Sequence, residues 1–315
     1  MAIVEKDCKI HEGRQLIYNK IGTLKRLITL DDTFTQIISS RNLNPPIPPG
    51  KDPGGIPVAL VDTGINYTLE IIEQHLARDN TGQPLGYDFW DMDERPFDLD
   101  TSRSPFFPFH HGTSVASILI REAPMVRIVP YRFPRYNMHR IRDLIFNLNA
   151  LGVRIVNLAM GSNDRKDWEA FETTARKMPD VLFVVSAGND NRDLDSDPVY
   201  PASLGLENLL VVTSANNFGQ LAKGSNWGRK TVHIMVPGEQ IPVIDHQGMK
   251  RKASGSSFAV PRVVALAARL LAKNPDWQAA EIKNAILSKA VLSPYEPRAL
   301  LSHGWISDPV DDFLP

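Results

Sequence analysis

The 315-residue chain contains a single cysteine, Cys8, so no disulfide can form within it and a packed core must hold the fold. That fits a reducing compartment, although large secreted bacterial enzymes also manage without disulfides. No apolar run has the length of a membrane span; the richest stretch, 263–272, is interrupted by Arg269. Neither sign of charge is in excess, with 35 Lys+Arg against 36 Asp+Glu. Nothing therefore marks a face for nucleic acid or for an anionic membrane. Residues 1–10 carry Glu5, Lys6, Asp7 and Lys9 where a secretion signal needs an apolar stretch. With Met1 as the true start, the expected location is the cytoplasm; if the chain is cut from a longer precursor, it is expected outside the cell. The composition leaves the oligomeric state open.

What the chain does have is size and apolar content. At 43% hydrophobic residues it can fill the core of one large α/β domain with a short segment to spare. Residues 1–56 differ from the rest. Apolar and charged residues mix without a clean period over 10–40, and prolines and glycines crowd 45–55. This predicts an N-terminal arm ending in a Pro/Gly-rich linker, followed by one domain over 57–315. From there β-branched runs alternate with helical patterns. Strands are expected at 58–61, 126–130, 153–158, 181–185, 209–213 and 232–236, and helices at 113–122, 138–150, 167–178 and 258–273. Near-continuous apolar strands alternating with helices predict a three-layer α/β sandwich, its mostly parallel central sheet covered by helices on both faces.

Four short blocks carry chemistry: Val61-Asp62-Thr63-Gly64, His111-Gly112-Thr113-Ser114, Ser186-Ala187-Gly188-Asn189 and Gly255-Ser256-Ser257-Phe258-Ala259-Val260-Pro261. A serine hydroxyl is a poor nucleophile alone. It needs a histidine to take its proton, a carboxylate to orient that histidine, and donors for the oxyanion that forms. Singly, each block has a bland reading: Asp62 and Asn189 as turn formers at strand ends, and Ser257 as a helix N-cap. Together they offer every part, in the order Asp, His, Ser. That order is neither the Ser-Asp-His of α/β-hydrolases nor the His-Asp-Ser of the chymotrypsin type, and it disfavours a lipase-like or esterase reading.

The chain resembles the subtilisin-like serine peptidases over roughly residues 57–290, with all four blocks matching in order and spacing. The resemblance implies an endopeptidase acting on polypeptides. Ser257 would be the nucleophile, His111 the base, Asp62 its orienter, and Asn189 an oxyanion donor beside the Ser257 N–H. It also places Ala159-Met160-Gly161 along one edge of the cleft, pairing with the substrate main chain, and Ser186-Ala187-Gly188 along the facing wall of the primary pocket. Ser256 stands where the family motif has threonine, and Ser114 and Ser117 stand where it has His and Gly. Ser256 and Ser114 are the decoy serines. Ser114 is expected to pack under the histidine, and Pro261 to fall in the first turn of its helix, where a missing N–H costs nothing.

No cofactor is implied. The calcium loop that many secreted relatives insert after the catalytic histidine is expected to be missing, since 113–124 runs directly toward the next strand. Calcium remains an option at two acidic loops, Asp88/Asp91/Asp93/Glu94/Asp98/Asp100 and Asp190/Asp193/Asp195/Asp197, but neither has EF-hand spacing and the ion is assignable to neither. The N-terminal arm is short for a folding chaperone of the family's kind; the expectation is that it covers the cleft. The alternative to an active peptidase is a silent or masked member of the fold that binds peptides or partners.

Overall fold

The computed structural model describes residues 1–310 apart from 21 and 297. It opens with four strands, β1 (Ala2–Val4), β2 (Ile10–Tyr18), β3 (Leu24–Leu30) and β4 (Ile37–Asn42), paired antiparallel in chain order. The expected arm is thus largely a folded sheet, and only the Pro/Gly-rich stretch after it is extended. The strands escape a pattern reading for a physical reason. Among the described residues the covered apolar cluster is small, Leu27 and Leu43 with Leu99 from the main body, and the adjacent Leu27 and Ile28 are both buried, so neither face of the sheet carries clean period-two alternation.

The main body follows as β5 (Ile56–Asp62), α1 (Glu70–Glu73), β6 (Tyr87–Asp88), α2 (Gly112–Glu122), β7 (Val126–Arg132), α3 (Ile141–Ala150), β8 (Ile155–Leu158), α4 (Glu169–Ala175), β9 (Leu182–Ser186) and β10 (Leu209–Ala215). It ends with β11 (Ile234–Pro237), a hairpin of β12 (Ile241–Ile244) and β13 (Lys250–Ala253), α5 (Ser256–Lys273), α6 (Ala279–Leu287) and β14 (Gly304–Trp305). Eight of these strands form one sheet in the order β14-β11-β10-β9-β8-β5-β7-β6, every neighbouring pair parallel.

Successive side chains of β5 enter opposite cores. Val58 and Leu60 join α2, α5 and α6 on one face, while Ala59 and Val61 join α3 and α4 on the other. A strand buried on both faces has no polar side to alternate with, which is why the expected runs read as continuously apolar. The result is the expected three-layer sandwich, with each expected strand present and its ends within two residues of the expected bounds. The expected helix at 167–178 is a short 3₁₀ turn, Arg165–Trp168, followed by α4, which stops at Ala175.

β5 lies between β7 and β8, so the chain leaves it to one side first and to the other later. Such a reversal opens a crevice beyond the carboxyl ends of the strands, and Asp62 is the last residue of β5.

Candidate active site

His111 is the residue immediately before α2, and its ring lies between the other two motif side chains. Its Nδ1 is 2.8 and 2.9 Å from the Asp62 carboxylate oxygens, and its Nε2 is 3.0 Å from Ser257 Oγ. Asp62 is almost fully buried and the His111 side chain is 14% exposed, so the pair is largely dry but its outer edge is open. Burial alone would lower the histidine's pKa. The Asp62 charge and hydrogen bond outweigh that, with Asp98 adding to them and Arg135 opposing, and the net shift is upward. Phe109 stacks on the ring with centroids 5.8 Å apart, and Phe258 lies against it at 5.2 Å.

The motif glycines are demanded by contact. Gly64 has φ +90°, and a Cβ there would lie 2.4 Å from the Pro96 carbonyl oxygen. The bare Gly64 thus admits the 96–97 backbone, and the absence of a side chain at 112 lets the His block approach the Asp block closely enough for the imidazole to reach the carboxylate.

Ser257 is the second residue of α5, and the cap position belongs to Gly255, whose φ of 139° excludes other residues. Ser257 therefore faces His111 instead of capping its helix. Because α5 begins at Ser256, Pro261 stands in the second turn and not the first as expected. Its missing N–H leaves the Ser257 carbonyl without an i+4 donor.

Ser256 is fully buried and engaged elsewhere. Its N–H and hydroxyl both reach Asn189 Oδ1, at 2.9 and 3.0 Å, and its Oγ is 2.6 Å from Ser186 Oγ. Pinning Oδ1 leaves the Nδ2 end of the exposed Asn189 amide as its free donor. The two segments expected to line the cleft turn side chains inward as well. The side chains of Ala187 and Met160 belong to the core on the α3/α4 face, so what Ala159-Met160-Gly161 and Ser186-Ala187-Gly188 offer a ligand is chiefly backbone. Ser162 pairs with Tyr200 in an isolated bridge just beyond that edge. Ser114 is half-buried, and its carbonyl accepts from Ser117 Oγ 2.8 Å away.

One organiser escaped the sequence reading. Asn226, fully buried, accepts from the Asp190 and Arg192 amides at 2.8 and 3.0 Å and donates to the Ala187 carbonyl at 2.8 Å. It clasps the turn that presents Asn189. The block Gly224-Ser225-Asn226 carries no periodic or motif signal to reveal this.

The acidic loops are largely engaged by the protein itself. Asp88 and Asp91 both pair with the buried Arg132, and Asp93 pairs with Arg95 and Asn44. In the second loop Asp195 accepts the Lys230 and Thr231 amides, and Asp197 faces Arg192. Asp98, His110 and His246 bring ligand atoms within 4.8 Å of one another. However, the two rings are stacked face to face, 3.7 Å apart and 10° from parallel, so their lone pairs do not converge on a common point. α2 leads into β7 through residues 123–125 only. The N-terminal sheet rests against the segment leading to His111. Arg14 donates to the Phe106 carbonyl at 2.8 Å and its guanidinium lies over the Phe107 ring.

Residues 54–305 match the model of the subtilase family. The chain belongs to that family. This subtilase is 26% identical to a cell wall-associated protease of Bacillus subtilis over 85% of its own length, but spans only 28% of that relative. It is 25% identical to alkaline serine exoprotease A of Vibrio alginolyticus over 76% of its length, spanning 42% of the relative. Among solved structures, a cold-adapted subtilisin-like serine proteinase superposes with a TM-score of 0.66 at 22% identity, covering 85% of this chain and 95% of the other. A lanthipeptide protease gives the same score at 19% identity, covering 81% and 87%. No described helix is long and apolar enough to cross a membrane.

Proposed function

We propose that this subtilase is a serine endopeptidase that hydrolyses polypeptides through an acyl-enzyme. The observation carrying this reading is the continuous hydrogen-bonded line from Asp62 through both nitrogens of His111 to Ser257 Oγ. His111 takes the Ser257 proton as Oγ attacks the scissile carbonyl. Asp62 fixes the tautomer with the proton on Nδ1 and stabilises the imidazolium. The tetrahedral oxyanion is held by the Asn189 amide and the Ser257 N–H, the latter at the start of an 18-residue helix whose dipole favours negative charge. Protonated His111 then passes its proton to the leaving amine, and water repeats the sequence to release the acid. The substrate main chain lies along Ala159-Met160-Gly161, with its primary side chain between that edge and Ser186-Ala187-Gly188. Residues 1–56 form an accessory unit and 57–315 the peptidase domain.

The test is hydrolysis of an unfolded polypeptide, with the new termini read by mass spectrometry, for the wild type and Ser257→Ala. Internal cleavage by the wild type and not by the variant supports the reading. A chain that binds the polypeptide without cutting it would support the silent-binder alternative.

A further inference from the structure

Behind the triad lies a second buried carboxylate that this chemistry does not use. Asp98 is fully buried in the segment before α2. Its Oδ1 accepts from Thr63 Oγ at 2.5 Å and from the His111 amide at 3.1 Å. Its Oδ2 accepts from the Thr113 amide at 3.0 Å and from the Thr113 hydroxyl. Thr63 Oγ, its proton committed to Asp98, in turn accepts from the amides of His111 and Gly112 at 3.1 and 2.9 Å. The opening amides of α2 have no partners within the helix. At 111, 112 and 113 they end on Asp98, directly or through Thr63.

We propose that Asp98 is a positioning residue for peptide hydrolysis, holding the backbone from which His111 projects and adding a second negative charge behind its ring. The arrangement joins three separate sequence blocks. Thr63 comes from the Asp62 block, Thr113 from the His111 block, and Asp98 from the loop before α2. His111 faces Asp62, Asp98 and Arg135, with Phe109 and Phe258 as its apolar neighbours. Asp98 faces His246, whose Nδ1 is 3.6 Å from Oδ2, and His110, whose Nδ1 lies 2.6 Å from the Asp98 carbonyl; Arg41 opposes His110 from the N-terminal sheet. Burial would push the Asp98 carboxyl upward. Its contact with His246, the two histidine charges and the Thr113 hydrogen bond outweigh this and hold it down at about 2.

This inference rests on the peptidase reading. If that reading fails, the wild type shows no hydrolysis; if only this inference fails, the wild type is active and the variants below match it. The experiment measures kcat and KM against pH, with melting temperature, for the wild type, Asp98→Asn and Thr63→Val. Asp98→Asn removes the charge. The acidic limb of kcat/KM should move to lower pH, because an anion that favours imidazolium is gone, and kcat at the plateau should fall by about 10- to 100-fold with little change in KM. Thr63→Val keeps the charge and breaks the relay to the His111 and Gly112 amides. It should lower kcat while leaving the limb in place. Should Asp98→Asn not fold, Thr63→Val decides by itself. A lower melting temperature with unchanged kcat and an unmoved limb would mean that Asp98 is structural only and would overturn the proposal.

Discussion

Gly112 sits directly on Gly64: a Cβ built on Gly112 would lie 2.0 Å from the Gly64 carbonyl oxygen and 3.2 Å from the Asp62 side chain. The distance between the aspartate and histidine blocks is therefore set by the missing side chain at 112. Gly112→Ala must push α2 away from the end of β5. Displacement of about 1 Å at a reacting group can cost about 10²-fold in rate, so we expect at least that loss in kcat with the soluble protein retained. Steady-state kinetics beside a melting curve would check this; wild-type kcat would show that the contact relaxes elsewhere.

Asn189 should contribute mainly through the transition state. Asn189→Ala is expected to lower kcat by about 10²–10³ with KM little changed, the magnitude known for loss of such a donor in subtilisin. Ser256→Ala leaves the amide in place but removes one of the two donors that pin Oδ1. Its loss in kcat should be smaller and in the same direction. Equal losses in kcat and rises in KM for Asn189→Ala would instead indicate a general role in substrate binding.

The pH dependence follows from His111. Its pKa is raised in the folded protein, by Asp62 against the effect of burial. The base must be neutral to act, so kcat/KM should rise with pH through a value above that of an ordinary histidine. Stability has the opposite slope. The imidazolium–Asp62 pair stabilises the fold fully below the unfolded histidine's pKa, and that contribution disappears as pH rises through the folded one. Asp62→Asn should move the acidic limb down and abolish this part of the stability change. A limb unchanged by Asp62→Asn would assign the titration to another group.

Arg132 is 2% exposed and bridges Asp88 and Asp91 while donating to the Leu99 carbonyl at 2.6 Å. Arg132→Ala strands the buried Asp88 carboxylate, a loss on the order of 3–5 kcal/mol for one partner of a buried pair. Urea titration should show a clear drop in midpoint. A change below about 1 kcal/mol, the level of exposed pairs, would mean that water replaces the arginine.

The N-terminal sheet buries Leu27 and Leu43 against Leu99, one residue from Asp98. Deleting residues 1–42 uncovers Leu99 and frees the segment that leads to His111. We expect lower melting temperature and lower activity. A gain in activity would favour the covering role expected from the sequence.

Much of this site was legible in the sequence because each part is a short local block at a strand end or helix start. The central sheet was legible because a strand buried on both faces is apolar throughout. What was missed depends on distant contact. Asn226 and Asp98 act through backbone amides that no local pattern announces. The β12–β13 hairpin, whose connecting turn carries His246, has only short half-exposed strands. α6 could have been found, since Gln278 and Glu281 form a capping box at its start. The N-terminal sheet hid because its small core is completed by Leu99, distant in sequence.

Reaction with a fluorophosphonate probe, read by intact mass for the wild type and Ser257→Ala, tests most directly whether Ser257 is an activated nucleophile. One adduct is expected on the wild type, located on Ser257, and none on the variant. An adduct of equal yield on both, or none on a folded wild type with or without residues 1–42, would contradict it.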